Sequence, residues 1–466
     1  MTSPRKLLAP LALAQFICSY AGSNMNVMIN DISKDLDTTV EGVQATITAM
    51  LLVMAILMIP GGKLTDRWGR KRCFVWGLWL FGAGALLSAV SPGLGVLLLG
   101  NSVLEGVGTC LLIPPVYILT TMAFDDLPSR ARAFGVISGL GGVGAAAGPL
   151  IGGLITTWIS WRAAFLFQGV VIAVILLLAR RVVDPVAPDP NRPFDLVGAI
   201  LSAVGMFFVV FGILLADNDL ALTAVFIAVG AGFLVAFFVY TRARERAGKD
   251  PLISLRLFRN RTSNLGLVTQ NIQWLLLMGV SFVVAVFLQT VRGYNAIETG
   301  LVFTAATVGI LASSLAAERL AKRYPQRTLI LAGFVVTAAG IGFLLAFVGA
   351  SSRVVAFVPG LLLIGVGLGV MLTPSVNMVQ SSFPEEQQGE ISGVSRAVSN
   401  LGSSFGAAIA GTILVSNLSS GNSTYVVAMV VLAALAVVGF VAALLISPDP
   451  KASEPRESSH RPGVAV

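Results

Sequence analysis

Charge is scarce in this chain. Only 12% of its 466 residues are Asp, Glu, Lys or Arg, where a soluble domain carries roughly 25%, and 56% are hydrophobic before its 49 glycines are added. An ordinary soluble globule is excluded, because one water-facing core has no use for so much apolar material. The mean hydropathy of +0.86 agrees. Histidine occurs once, as His460 in a polar tail, so histidine-based metal ligation and Ser-His-Asp catalysis lack their raw material. Cys18, Cys73 and Cys110 stand in or beside apolar stretches with no CxxC or metal spacing. They read as packing residues rather than a disulfide framework. No Walker sequence is present, and the glycine string Gly365-Val366-Gly367-Leu368-Gly369 lies inside an apolar run, so ATP is not indicated as the energy source. No cofactor and no enzymatic activity are expected. The net charge of +8 is not read as nucleic-acid binding, since in a membrane chain Lys and Arg collect in the loops of one side.

What the chain has instead is long apolar runs. A hydrocarbon layer takes about 20 helical residues to cross, and fourteen such runs can be laid at 8–30, 43–61, 73–91, 95–120, 134–156, 163–180, 196–216, 221–241, 265–289, 300–317, 328–348, 354–379, 391–416 and 425–446. Stretches such as LLVMAILMIP are apolar all round, unlike the alternating strands of a membrane barrel, so helices are expected. The first run follows only Arg5 and Lys6, lacks an A-x-A-like site and exceeds a signal-peptide core, and is read as a retained helix. With this count, 26 of the 31 Lys and Arg residues fall on one side and only Lys34, Arg162, Arg292 and Arg353 on the other, with Arg396 inside a span. Both termini are therefore expected to be cytoplasmic. Loop 381–390 carries no cation and breaks the pattern locally.

Two stretches, 182–195 and 242–262, are rich in Pro and charge and read as cytoplasmic linkers around two spans. The expected organisation is a six-helix bundle over 1–181, linkers with two extra helices over 182–262, a second six-helix bundle over 263–446, and a disordered tail over 447–466. A repeat supports it. Gly62-Lys63-Leu64-Thr65-Asp66-Arg67-Trp68-Gly69-Arg70-Lys71 is echoed 256 positions later by Glu318-Arg319-Leu320-Ala321-Lys322-Arg323-Tyr324-Pro325-Gln326-Arg327, as in transporters whose two halves rock about a midplane site.

The segment Gly62–Lys71 resembles the signature loop of the major facilitator superfamily. Gly144-Ala145-Ala146-Ala147-Gly148-Pro149-Leu150-Ile151-Gly152-Gly153 resembles the motif of its drug and metabolite antiporters. Ser160-Trp161-Arg162-Ala163-Ala164-Phe165 and Pro251–Arg261 resemble its fourteen-span drug:proton antiporter branch. The resemblance covers nearly all of residues 8–446 and implies an all-α membrane protein of the major facilitator fold, two six-helix bundles plus two extra central helices, with 14 transmembrane helices. Departures stand out. Ala21 occupies the position of a first-span acid five residues before Asn26-Val27, and Asn30 that of a proline. Ser102 and Glu105 replace the arginine and glutamine of a fourth-span Arg-x-x-Gln-Gly pattern, and Arg396 replaces a neutral polar residue.

Glu105 is the leading candidate for proton coupling, because an ionisable group inside a span is expensive and points to function; a carboxyl merely held by a neighbouring hydroxyl or cation is the alternative. Arg396 requires a carboxylate or carbonyl partner, with pairing to Glu105, contact with an anionic substrate group and a purely structural role all open. Asp31, beside Asp35, Asp37 and Glu41, is a second proton candidate or a solvated external rim. Gln15, Ser19, Ser23 and Asn26 follow helical spacing and form either a cavity lining or an interhelical glue. Gln270, Asn271, Gln273 and Trp274 suit the opposite wall of a substrate site. Gly62, Asp66, Arg67, Gly69 and Arg70 belong to the signature loop, which by resemblance gates the cytoplasmic side. Gly144, Gly148 and Gly152, every fourth residue, leave a bare helix edge for close packing, and Pro149 promotes a bend.

The function expected is proton-coupled export of amphipathic or cationic organic compounds by a monomer in a bacterial inner membrane, its partners being substrate, protons and lipid, with no nucleic acid. The alternatives are export of a specific metabolite, lipid or peptide, or a non-transporting sensor or assembly partner.

Overall fold

A segment apolar on every face has to satisfy its backbone internally, which in lipid leaves the helix as its form. The computed structural model describes residues 4–124, 127–180, 182–184, 188–189, 193–214, 220–294, 296–348, 354–383, 387–415 and 422–447. Among them there is no strand, and fourteen long helices follow the expected spans. They are α1 (Pro4–Asn24), α2 (Val40–Trp68), α3 (Arg70–Ala89), α4 (Leu94–Ala123), α5 (Leu127–Trp158), α6 (Trp161–Ala179), α7 (Leu196–Leu214), α8 (Leu220–Arg246), α9 (Arg261–Val286), α10 (Ala296–Leu315), α11 (Gln326–Val348), α12 (Val358–Ser381), α13 (Gln388–Val415) and α14 (Asn422–Leu444). The tail beyond Ser447 lies outside the described residues.

Eleven of these helices are long and apolar enough to cross a membrane. The other three are less apolar or shorter for visible reasons. α1 carries Gln15, Ser19, Ser23 and Asn24, α13 carries Glu390 and Arg396, and α7 has a short apolar stretch, Leu196–Gly212. The first expected span also ends early. α1 stops at Asn24, passes through a 3-10 turn at Met25–Val27 and resumes as a short helix, Ile29–Asp35.

Helix ends follow local chemistry. Thr39, Ser160 and Asn260 accept hydrogen bonds from the backbone N–H of Gly42, Ala163 and Ser263, capping α2, α6 and α9. Gly69 turns the chain from α2 into α3 at φ +92°, a left-handed conformation suited to glycine.

Two large apolar clusters hold the helices. One joins α1 to α6 through Tyr20, Phe74, Phe81, Tyr117, Phe134 and Ile172. The other joins α9 to α14 through Leu276, Phe287, Phe303, Phe334, Met371 and Met429. Contacts between the two groups run along α5 and α10, where a Cβ on Gly300 would stand 2.7 Å from Leu150 and one on Gly142 the same distance from Ile310. They continue at α2 and α13, where Gly393 faces Met58 and Ile59. α7 lies against α2 through Leu52, Ala55, Met206 and Val210, and α8 packs outside α7, only 11% of its span buried against 78% for α12. The expected loop 62–72 is helical except at Gly69, where α2 passes into α3, and the end of the bundle that carries this turn, with Lys63, Arg67, Arg70 and Lys71, and the end of α8, with Arg242, Arg244 and Arg246, is its basic end.

Candidate functional site

α4 is not a plain α-helix. Leu98–Glu105 forms a π-helix, a wider turn that is costly in isolation and recurs at functional sites. Close approach of α3 accompanies it, since Cβ atoms on Gly84 and Gly100 would each meet the other strand of backbone at under 3 Å. Glu105 closes this segment. It is 0% exposed, its Cγ would lie 2.9 Å from a Cβ on Gly84, and neither carboxyl oxygen has a hydrogen-bond partner among the described residues. It stands eleven residues into a 30-residue helix, about 17 Å from its start. Nearby, Ser102 donates to the Thr46 carbonyl of α2 at 2.6 Å, and Thr109 donates to the Glu105 carbonyl at 2.8 Å.

Arg396 pairs elsewhere. From α13 its Nη1 donates to Tyr117 Oη at 3.1 Å, Tyr117 donates to Gln15 Oε1 at 3.3 Å, and Gln15 Nε2 donates to Ser19 Oγ at 3.2 Å. The guanidinium also lies 5.4 Å from the Trp274 ring and 5.6 Å from the Tyr117 ring, within cation–π range. One buried polar chain thus runs from α13 and α9 across to α4 and α1. Tyr117 is its hinge, and no local pattern in the sequence ties that residue to Arg396, 279 positions away.

The remaining candidates divide. Ser23 donates within α1, to the Ser19 and Tyr20 carbonyls, and at 3.5 Å to Gly144 of α5. Asn26 sits in the 3-10 turn, beyond the helical register that puts Gln15, Ser19 and Ser23 on one face. Gln270 accepts from Ser395 at 2.9 Å, Asn271 donates to the Val398 carbonyl at 2.8 Å, and Gln273 donates to Ser375 at 2.5 Å. These three tie α9 to α12 and α13. Only Trp274 joins the cross-bundle site. The glycines of α5 face α1: Gly144 meets the Phe16 carbonyl, Gly148 the Ser23 hydroxyl, and a Cβ on Gly152 would be 3.2 Å from Asn24. Pro149 lies between them inside α5. Asp31 is exposed on the Ile29–Asp35 helix. Its neighbour Asp35 pairs with Arg162 and accepts from Trp161 Nε1 at 3.1 Å, and chiefly the Arg162 hydrogen bond holds the Asp35 carboxyl below the usual carboxylate range.

At the basic end the signature loop holds a pair absent from the sequence reading. Lys63 Nζ lies 2.5 Å from Glu390 Oε1, both nearly buried, and Glu390 Oε2 accepts from the Ser254 backbone at 2.9 Å. α2, α13 and the 242–262 linker meet at one carboxylate. Glu390 stands in the first turn of α13. Gly62 is buried at the same turn of α2 and Arg67 is half-buried, while the side chain of Asp66 lies outside the described residues. Gly69 and Arg70 meet Asp184, which accepts from the Arg70 and Lys71 backbones at 2.6 and 3.2 Å. A carboxylate at this α3 N-terminus satisfies free N–H groups.

The chain matches the family model for the Major Facilitator Superfamily over residues 11–258 and 266–465. It is 29% identical over 416 residues to the puromycin resistance protein pur8 of Streptomyces alboniger, covering 87% of this chain and 81% of that one. It is 29% identical over 407 residues to the multidrug efflux pump LfrA of Mycolicibacterium smegmatis, with 87% and 80% covered. Among solved structures, the human organic anion transporter MFSD10 (TETRAN) superposes with a TM-score of 0.68 at 13% identity, covering 95% of this chain and all of that one. At that identity the likeness concerns the fold alone. A family model matched along most of the sequence, on a fully helical bundle with spans to cross a membrane, establishes that the chain belongs to the major facilitator superfamily and is a transporter, not an enzyme.

Proposed function

We propose that this transporter is a proton-coupled exporter of amphipathic or cationic organic compounds, a monomer set in an inner membrane with its basic end and both termini in the cytoplasm. The observation that carries it is Glu105, fully buried at mid-helix and without a hydrogen-bond partner among the described residues. A bare carboxylate there is expensive. Protonation removes that charge, so the empty carrier reorients more easily when Glu105 is neutral, which couples proton movement to alternating access. The relatives named for puromycin resistance and multidrug efflux support an organic substrate. Gln15, Tyr117, Trp274 and Arg396 form the substrate wall in this reading. The two apolar clusters support bundles over 1–181 and 263–446, with residues 182–262 as an insertion. The Lys63–Glu390 pair acts as the cytoplasmic latch.

A second reading rests on Arg396. A mid-bundle guanidinium flanked by two aromatic rings suits an anionic group on a specific metabolite, lipid or peptide.

The test is uptake of a fluorescent lipophilic cation into inside-out vesicles under an imposed proton gradient, wild type beside Glu105→Gln. Gradient-driven uptake lost in the variant is the expected result. Equal uptake in both removes Glu105 from coupling, and no uptake in either, with competition by organic anions in a binding assay, favours the second reading.

A further inference from the structure

Four arginines converge where nothing in the transport cycle needs them. Arg242 and Arg246 lie one turn apart at the end of α8, and Arg256 and Arg259 are three apart in the 3-10 turn Leu255–Arg259, so each pair shares a helix face. Together with Glu245 and Leu255 they line a cleft of about 500 Å³. All four side chains are exposed and have no ion-pair or hydrogen-bond partner among the described residues. The cleft is built rather than incidental. Glu245 Oε1 accepts from the Ser254 hydroxyl and the Leu255 N–H, both at 2.8 Å, fixing the turn against α8 and using the acid's own charge. Buried Asp195 accepts from Leu252 N–H at 3.1 Å and Tyr240 Oη at 3.2 Å, with Arg244 Nε at 3.6 Å, anchoring the same linker.

Depth and surroundings name the occupant. Arg242 is 21 residues from the Ala221 end of its span, about 31 Å along the axis, which is the thickness of the hydrocarbon core. A span of that length brings Arg242 and Arg246 to the headgroups, and the cleft holds Arg256 and Arg259 beside them. Directly beneath, Val235, Phe238 and Val239 present an exposed apolar face, and Phe238 meets Phe258 edge-on at 5.8 Å under the cleft. Topology alone calls for positive charge here. It does not call for two arginine pairs folded round one cleft, nor for six arginines to one lysine across 242–261. A planar guanidinium binds phosphate oxygens in a two-pronged way that an ammonium does not.

We propose that Arg242, Arg246, Arg256 and Arg259 form a binding site for the phosphodiester headgroup of an anionic phospholipid, its acyl chains lying along the α8 face of Val235, Phe238 and Val239. The lipid would brace the linker that reaches Glu390 through Ser254.

Native mass spectrometry on the purified full chain, titrated with phosphatidylglycerol or with phosphatidylcholine of the same acyl chains, tests this. Wild type retains phosphatidylglycerol preferentially. Replacing the four arginines by glutamine reduces that retention at least about tenfold, to the phosphatidylcholine level. The four-lysine variant keeps the charge that sets topology and still loses most of the preference, and it decides the matter should the glutamine variant not fold. Removing Arg319, Lys322 and Arg323 from the other basic loop leaves retention unchanged. Undiminished retention in the glutamine variant, wild-type retention with four lysines, or equal loss in the other loop overturns the site. Binding of inorganic phosphate that displaces phosphatidylglycerol from wild type overturns the lipid assignment in favour of a free anion.

Discussion

At the scale of single residues, Glu105 and Arg396 meet opposite fates. Glu105 has no hydrogen-bond partner among the described residues, whereas Arg396 is wrapped by Tyr117, Trp274 and the path to Gln15. Tyr117 is the test of that path. Phenylalanine there keeps the ring beside the guanidinium and its stacking on Phe134, but deletes the hydroxyl that accepts from Arg396 and donates to Gln15. Tyr117→Phe is expected to lower stability by about 1–3 kcal/mol, the cost of leaving buried groups unpaired, read as a lower Tm in detergent; an unchanged Tm would show that the network carries no energy. Both charged residues were legible in the sequence because a charge in an apolar run is conspicuous by its cost. Their surroundings were not. Tyr117 and Arg396 stand 279 positions apart, and Gln270, Asn271 and Gln273 look like cavity lining until their hydrogen bonds to Ser395, Val398 and Ser375 are seen.

At the scale of elements, spans announced themselves through length and all-round hydropathy, but their interruptions did not. The π-helix Leu98–Glu105 depends on how closely Gly84 lets α3 approach, a tertiary condition. The end of α1 at Asn24 falls inside a run that continues to residue 30 in the sequence pattern. The segment Gly62–Lys71 was legible as a loop between two spans, and the structure narrows the break to Gly69 and shows why glycine is needed there: φ is +92°, and a Cβ would lie 3.3 Å from Asp184 Oδ2. Gly69→Ala is expected to cost about 1–2 kcal/mol from backbone handedness alone, with Gly69→Asn milder; alanine tolerated without change in Tm would contradict that geometry. At the opposite end, Asp35 clasps Arg162. Because that bond depresses the Asp35 carboxyl in the folded state, its contribution is complete above the ordinary carboxylate value and fades as pH falls through the lower folded one. The Tm difference between wild type and Asp35→Asn should therefore stay constant from pH 8 to about 5 and close only below about 4; a gap that closes near neutrality would refute the pairing.

Across the whole molecule, the two helix groups touch along α5 and α10 and are pinned at the basic end by Lys63 and Glu390, which are 327 positions apart. A buried pair of this kind stabilises little in itself, but breaking one side leaves a bare charge and costs about 3–5 kcal/mol. Those two facts make the latch testable. In Glu390→Gln, Lys63 loses its carboxylate and the basic ends of α2 and α13 should part, so that a cysteine at Ile59, beside Gly393, reacts with a water-soluble maleimide at least about tenfold faster than in the parent. Background labelling is low because Cys18, Cys73 and Cys110 are buried. Replacing both partners by apolar residues of similar size removes the bare charge, so Lys63→Met with Glu390→Leu should restore slow labelling even though no ion pair remains. If the single variant labels as slowly as the parent, the pair does not hold the ends together, and closure then rests on the packing of Ile59 against the apolar cluster that contains Val379, Ile391 and Val394.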